Sequence, residues 1–185
     1  MTRLRRGLAV LGLLAGMNAA PALAEVPITY LEGNKPVFTI DVPDFWYMRS
    51  GGDRVLNDPK HGEDRPVSRV IGLEPVDRDG VWMGFVVPDG VTTLEEAYEY
   101  LQYVGPSLLS DAEIAEAYSR RIGGQKAVVA NGTGRRGGRT INFTATVIDL
   151  PGPHVAVAVA IVEPGADPGR VAQLNAVFDS FRVVR

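Results

Sequence analysis

The chain has 185 residues, with 19 Lys and Arg against 22 Asp and Glu, a net charge of −3, and no cysteine. The missing thiols exclude disulfides, thiolate zinc and iron–sulfur sites, thiol nucleophiles and lipoprotein acylation. The mildly acidic balance argues against general nucleic-acid binding, which needs a basic face to neutralise phosphates.

Residues 1–24 have the three parts of a cleavable signal peptide. Arg3, Arg5 and Arg6 form a positive start, residues 7–20 are apolar or small apart from Asn18, and Ala22-Leu23-Ala24 is a small-residue cleavage site before Glu25. The apolar run is too short for a membrane span, which needs roughly 20 apolar residues, and no twin-arginine context follows, so the general secretory route is the simpler export path. The expected products are a signal peptide of residues 1–24 and one domain of residues 25–185, located in the periplasm or, alternatively, released outside the cell. That mature part would have 161 residues, with 16 basic and 22 acidic side chains. It contains no further apolar run of transmembrane length. A chain of this size buries roughly 68–70% of its unfolded surface and folds without covalent staples.

In chain order, residues 28–31 and 37–42 read as strands joined by the turn Glu32-Gly33-Asn34-Lys35. The second alternates, with Phe38, Ile40 and Val42 on one face, and ends at Pro43. Phe45-Trp46-Tyr47-Met48 reads as a further extended, mostly buried piece. Residues 57–66, rich in charge with two Pro and one Gly, read as an exposed loop. Residues 67–76 and 81–87 follow as strands around an Asp79-Gly80 hairpin turn.

The period then changes. Thr93-Leu94-Glu95-Glu96 is a capping box, and Leu94, Ala97, Tyr98 and Leu101 make one apolar helix face that ends at Gly105-Pro106. Tyr100 and Tyr103 fall off that face. Ser110-Asp111-Ala112-Glu113 resembles a second capping box opening a weaker helix through about Ser119, with a strand as the alternative, and Gly123-Gly124 ends either one. Residues 127–130, 140–150 and 154–162 read as strands. The first two are linked by a glycine-rich hairpin over residues 131–138, and the last two by Pro151-Gly152-Pro153. Asp167 then Pro168 is an N-cap followed by proline at the first helical position. Val171, Leu174 and Phe178 give that helix its apolar face, and a short strand at residues 181–183 closes the chain. Strands in meander order with helices inserted mid-chain and at the end imply an α+β fold, an antiparallel sheet covered by helices.

Three segments carry a resemblance: the strand and aromatic run Phe38-Thr39-Ile40-Asp41-Val42-Pro43-Asp44-Phe45-Trp46, the strand opening Ile122-Gly123-Gly124-Gln125-Lys126-Ala127, and the closing Phe178-Asp179-Ser180-Phe181-Arg182. With the order of elements, they resemble the PsbP-like family, which includes the DcrB-like exported bacterial proteins. The resemblance implies an α/β/α sandwich around an antiparallel sheet. It also implies an accessory, assembly or binding role rather than an enzymatic one, and it supplies no catalytic motif to carry over.

The residues agree with a non-catalytic reading. The only histidines are His61 and His154, and neither a G-x-S-x-G elbow nor an H-E-x-x-H motif is present. His154 opens a strand and reads as an edge residue. His61, among Asp58, Glu63 and Asp64, reads as part of a solvated loop rather than a metal site, and no cofactor or metal is expected. Two candidate contact surfaces remain. Arg135, Arg136 and Arg139 in G-R-R-G-G-R concentrate forked donors beside glycines and suit an anion or an acidic partner; the plain alternative is a hairpin turn with solvated arginines. Phe45, Trp46 and Tyr47 with the helix residues Tyr98, Tyr100 and Tyr103 are candidates for an apolar pocket, and Tyr100 and Tyr103 for an aromatic contact surface, against ordinary core packing. The expected function is an exported accessory or binding factor with a protein partner in the cell envelope or a small anionic ligand. The alternatives are a small periplasmic hydrolase with a dispersed active site, or an anionic-ligand or lipid-binding module.

Overall fold

The computed structural model describes residues 24–52, 54–57, 64–67, 69–77 and 80–184. Residues 1–23 of the expected signal peptide and residues 58–63, with His61, lie outside the described residues.

A seven-stranded antiparallel sheet forms the middle layer. Its strands are β3 (Trp46–Ser50), β6 (Ile71–Pro75), β7 (Val81–Val86), β8 (Ser110–Ile122), β9 (Gln125–Arg136), β10 (Arg139–Leu150) and β11 (His154–Val162), in the spatial order β3-β6-β7-β11-β10-β9-β8. The chain leaves β7, crosses one face as helix α1 (Leu94–Leu108), enters the far edge as β8, and returns to the centre as a meander. On the other face lie helix α2 (Pro168–Asp179) and a three-stranded sheet of β1 (Glu25–Glu32), β2 (Lys35–Pro43) and β12 (Arg182–Val183). The strands β4 (Arg54–Asn57) and β5 (Asp64–Val67) pair as a separate two-stranded sheet, so residues 57 and 64–66 of the expected loop are strand instead, and the expected strand over residues 67–76 divides between β5 and β6.

The side-chain period of two sorts the core into two layers. Along β11, Val155, Val157, Val159 and Ile161 face α1, whereas Ala156, Ala158 and Ala160 face the other way. The alanines leave room for a ring cluster built from the elements beyond them. Phe38 lies 5.0 Å from Tyr30, 5.8 Å from Phe85 and 4.8 Å from Phe181, and Phe85 lies 5.6 Å from Phe178. These spacings fall in the favourable range for aromatic pairs.

Both helix starts form as read. The Thr93 hydroxyl accepts from the Glu96 amide at 3.1 Å while the Glu96 carboxylate accepts from the Thr93 amide at 3.1 Å, and Asp167 caps α2 by accepting from the Arg170 amide at 3.1 Å. Helix α1 does not stop at Gly105-Pro106 but runs through to Leu108. In the last turn Pro106 forfeits a single donor, and the Gly105 carbonyl still accepts from the Leu109 amide at 3.0 Å. Its packed face also differs from the expected one. Ala97 and Val104 are buried and Leu94, Tyr100 and Leu101 pack beside the core, whereas Tyr98 is 53% exposed.

The expected helix from Ser110 is a strand, the alternative reading. Asp111 has φ of +51°, which no first helical turn accommodates, and the segment instead covers the edge of β9. Long-range ladder pairing here outweighs a weak local helix signal. The glycine-rich hairpin is also tighter than expected. Residues 131–136 belong to β9, and only Gly137-Gly138, with φ of +56° and +81°, form the turn. Of the extended piece at residues 45–48, Trp46 is buried while Tyr47 and Met48 are exposed.

Candidate functional site

Helix α1 leaves one flank of its sheet face open. The side chains there come from alternate positions of six strands. In register, Arg49 lies opposite Gly72 and Tyr47 opposite Glu74, Gly72 opposite Gly84, Trp82 opposite Ile161, and Arg136 opposite Arg139. A cleft of about 390 Å³ forms among Glu74, Trp82, Arg136, Arg139, Ile161 and Glu163.

The cross-strand pair of glycines makes the floor. A Cβ at Gly84 would meet the Trp82 ring at 2.6 Å, and one at Gly72 would meet its indole nitrogen at 3.5 Å. The indole therefore lies down on the sheet where no side chains stand, the close approach that glycine in a strand permits. One edge of Trp82 packs on the cluster around Leu109, Ile141 and Ile161. The Arg136 guanidinium sits 5.4 Å from the ring centroid, within cation–π range.

Charge in the cleft is nearly balanced. Arg139 pairs with Glu163 at 3.0 Å and Arg49 pairs with Glu74 at 3.0 Å. Among the described residues no carboxylate pairs with Arg136; the lining itself has two arginines and two glutamates, and one cation is left over on the aromatic ring because Arg49, from outside the lining, takes up Glu74.

The arginine trio of the sequence is thus divided. Arg136 and Arg139 share the cleft. Arg135 lies opposite Thr140 in register, one residue out of phase, so it faces the opposite side of the sheet, where it donates to the Gly138 carbonyl at 3.2 Å. The aromatic candidates are not brought together either. Tyr100 and Tyr103 are half-buried on α1, Tyr100 against the cluster of Val86 and Val157. Trp46 donates to the Gln173 side chain at 3.2 Å and Phe45 lies 4.9 Å under the Arg170 guanidinium, so both anchor α2 rather than line a pocket.

His154 stands at the end of the central strand β11, not on a sheet edge, with Nδ1 3.6 Å from a Glu32 carboxylate oxygen. Seven strand steps separate it from Ile161 in the cleft, so roughly 23 Å of strand lie between the two. Among the described residues, no three of His, Asp and Glu gather as a metal cage, and no described helix is long and apolar enough to cross a membrane. Trp82, Glu74 and Glu163 are not among the residues the sequence pattern points to. The signal for them is a glycine inside each of two adjacent strand-like runs, Ile71-Gly72-Leu73 and Met83-Gly84-Phe85, with a tryptophan two residues before the second.

No protein-family model and no curated protein matches the chain. Among solved structures, it is similar to the cyanobacterial PsbP protein CyanoP of Synechocystis sp. PCC 6803, at 14% identity and a TM-score of 0.50, over 94% of this chain and 100% of that one. It is also similar to LpqN of Mycobacterium tuberculosis, a protein involved in cell envelope biogenesis, at 13% identity and a TM-score of 0.42, over 88% of this chain and 92% of that one. A third is the Pseudomonas aeruginosa protein PA94, of unknown function, at 13% identity and a TM-score of 0.43, over 83% and 94% of the two chains. With the element order and layers described above, the likeness to CyanoP gives this chain a PsbP-like α+β fold.

Proposed function

We propose that the chain is an exported accessory or binding factor of the cell envelope, and that the cleft beside Trp82 recognises a carboxylate or phosphate on its ligand or protein partner. The observation that carries this reading is the placing of Arg136 over Trp82, next to Arg139, in one cleft whose two carboxylates already have arginine partners. A guanidinium on a ring keeps its forked donors directed outward, suited to a planar or tetrahedral anion. The only imidazole among the described residues is remote from the cleft, which favours binding over acid–base chemistry.

Titration of the protein with inorganic phosphate and with citrate, followed by tryptophan fluorescence, together with capture of partners from crosslinked envelope, tests the reading. Replacing Arg136 and Arg139 together with Ser should weaken binding at least tenfold and flatten its salt dependence, while Arg135→Ser leaves both unchanged. Wild-type binding by the double variant would overturn the site. Turnover in a hydrolase screen that is lost in His154→Ala would overturn the non-catalytic role. Intact mass of the protein recovered from the periplasm should begin at Glu25; a stable species retaining Met1 in the membrane fraction would overturn export with cleavage.

A further inference from the structure

The far edge of the sheet carries a self-complementary segment, and we infer that β8 pairs with β8 of a second copy of this chain. Strand β8 is 13 residues long, and twelve of them are exposed. It pairs with β9 on one side and ends the sheet on the other. A long exposed edge is a template for strand addition, and proteins usually interrupt it with bulges, lysine or proline. Here both register irregularities fall in the first half, between Ser110 and Glu113 and between Ile114 and Glu116. From Glu116 to Ile122 the ladder is unbroken and β8 itself holds neither lysine nor proline.

The charges of that unbroken stretch identify the occupant. Glu116, Tyr118 and Arg120 lie opposite Asn131, Val129 and Ala127, so all three side chains stand on the face that carries α2. In an antiparallel pair with a two-fold axis through Tyr118, Glu116 falls opposite the partner's Arg120, and Arg120 opposite the partner's Glu116. Tyr118, 43% exposed, meets its own symmetry mate. Directly opposed residues of antiparallel strands have Cβ atoms about 4.5–5.5 Å apart, the reach of ion pairs and ring contacts. Ala117 falls opposite the partner's Ser119 on the other face, so no bulky group obstructs the approach. Within its own chain Glu116 accepts from the Asn131 side-chain Nδ2 at 2.8 Å and Arg120 approaches Asp179 at 3.4 Å. These contacts hold both side chains over the sheet and leave a second carboxylate oxygen and further guanidinium donors for the partner. The pairing is isologous, as two-fold dimers require, and it joins two seven-stranded sheets edge to edge.

Sedimentation velocity over a concentration series, on the protein as recovered from expressing cells, tests the pairing. The wild type should show a concentration-dependent dimer. Glu116→Arg sets like charges opposite each other at both cross-strand positions, and so does Arg120→Glu; each alone should weaken association at least tenfold. An equimolar mixture of those two variants restores both attractions and should dimerise again. Far-ultraviolet circular dichroism unchanged in each variant, with thermal midpoints equal to that of the wild type at concentrations where it is monomeric, excludes misfolding as the cause. Tyr118→Lys, which opposes like charges on the axis, gives an independent break. A wild type that stays monomeric throughout, or a dimer that survives all three substitutions, would overturn the inference.

Discussion

Tyr30 shows how much one side chain ties together. Its ring is 3% exposed and stacks on Phe38, while its hydroxyl donates to the Arg69 carbonyl at 2.8 Å and accepts from the Val87 amide at 3.1 Å. One group thereby joins β1 to the segments before β6 and after β7. Burial pushes the phenol pKa up, and the Val87 N–H, which favours the anion, only partly offsets this. The folded phenol therefore keeps its proton to higher pH than the unfolded one. The stability linked to it is whole below about pH 10 and is lost as pH rises further. Tyr30→Phe leaves the Val87 amide without its acceptor and should cost about 1–3 kcal/mol at neutral pH, read as a lower urea midpoint. It should also reduce the alkaline loss of stability. A variant as stable as the wild type would show that water replaces the hydroxyl at no cost. The strand containing Tyr30 is legible in the sequence, but its hydroxyl partners are not: they lie 39 and 57 positions away, beyond the reach of any local pattern.

At the scale of elements, two segments carry the same Ser/Thr-x-x-Glu signature and fold differently. Thr93 to Glu96 makes the reciprocal box and starts α1, because Leu94, Ala97 and Leu101 then find Val86, Val147 and Val157 to pack on. Ser110 to Glu113 has no such face to bury, and the open edge of β9 captures it as β8. Capping residues make a helix end possible, but burial decides whether the helix exists. Thr93→Ala should therefore lower thermal stability by about 1 kcal/mol, measured by calorimetry at neutral pH, while Ser110→Ala leaves the midpoint essentially unchanged. The Glu96 carboxylate accepts from the Thr92 amide and hydroxyl and the Thr93 amide, which holds its pKa below the usual glutamate range. Its contribution is present at neutral pH and is lost as pH falls through that depressed value, a step that Glu96→Gln should remove. The glycine-rich stretch departs from the expected hairpin for a related reason. Gly132 and Gly134 are strand positions where Phe143 and Leu109 approach too closely for a Cβ. Composition suggests a loop there, and only the packing shows that the glycines are spacers. The split of the arginine trio follows from the same extension, since a strand sends adjacent residues to opposite faces.

For the whole molecule, the order of strands predicts the order of stability. β11 has neighbours on both sides, α1 packed over its valines, and β2 and α2 with their rings over its alanines. Its amides can exchange only when the sheet opens, which for a domain of this size means opening close to global unfolding. β8 has one neighbour and little burial, and every second amide of its outer side meets solvent in the single chain. Native-state hydrogen exchange at low protein concentration should therefore rank β11 slowest, β7 and β10 close behind, and the two edge strands, β8 and β3, fastest in the large sheet. With a global stability in the usual 5–15 kcal/mol range, β11 and the outer amides of β8 should differ by at least about 10³-fold. Raising the concentration separates the two roles of β8. If its edge pairs with a second copy, the outer amides between Glu116 and Arg120 slow markedly while those of β11 do not change. Protection of β8 equal to that of β11 in dilute solution would contradict both its edge position and its availability to a partner.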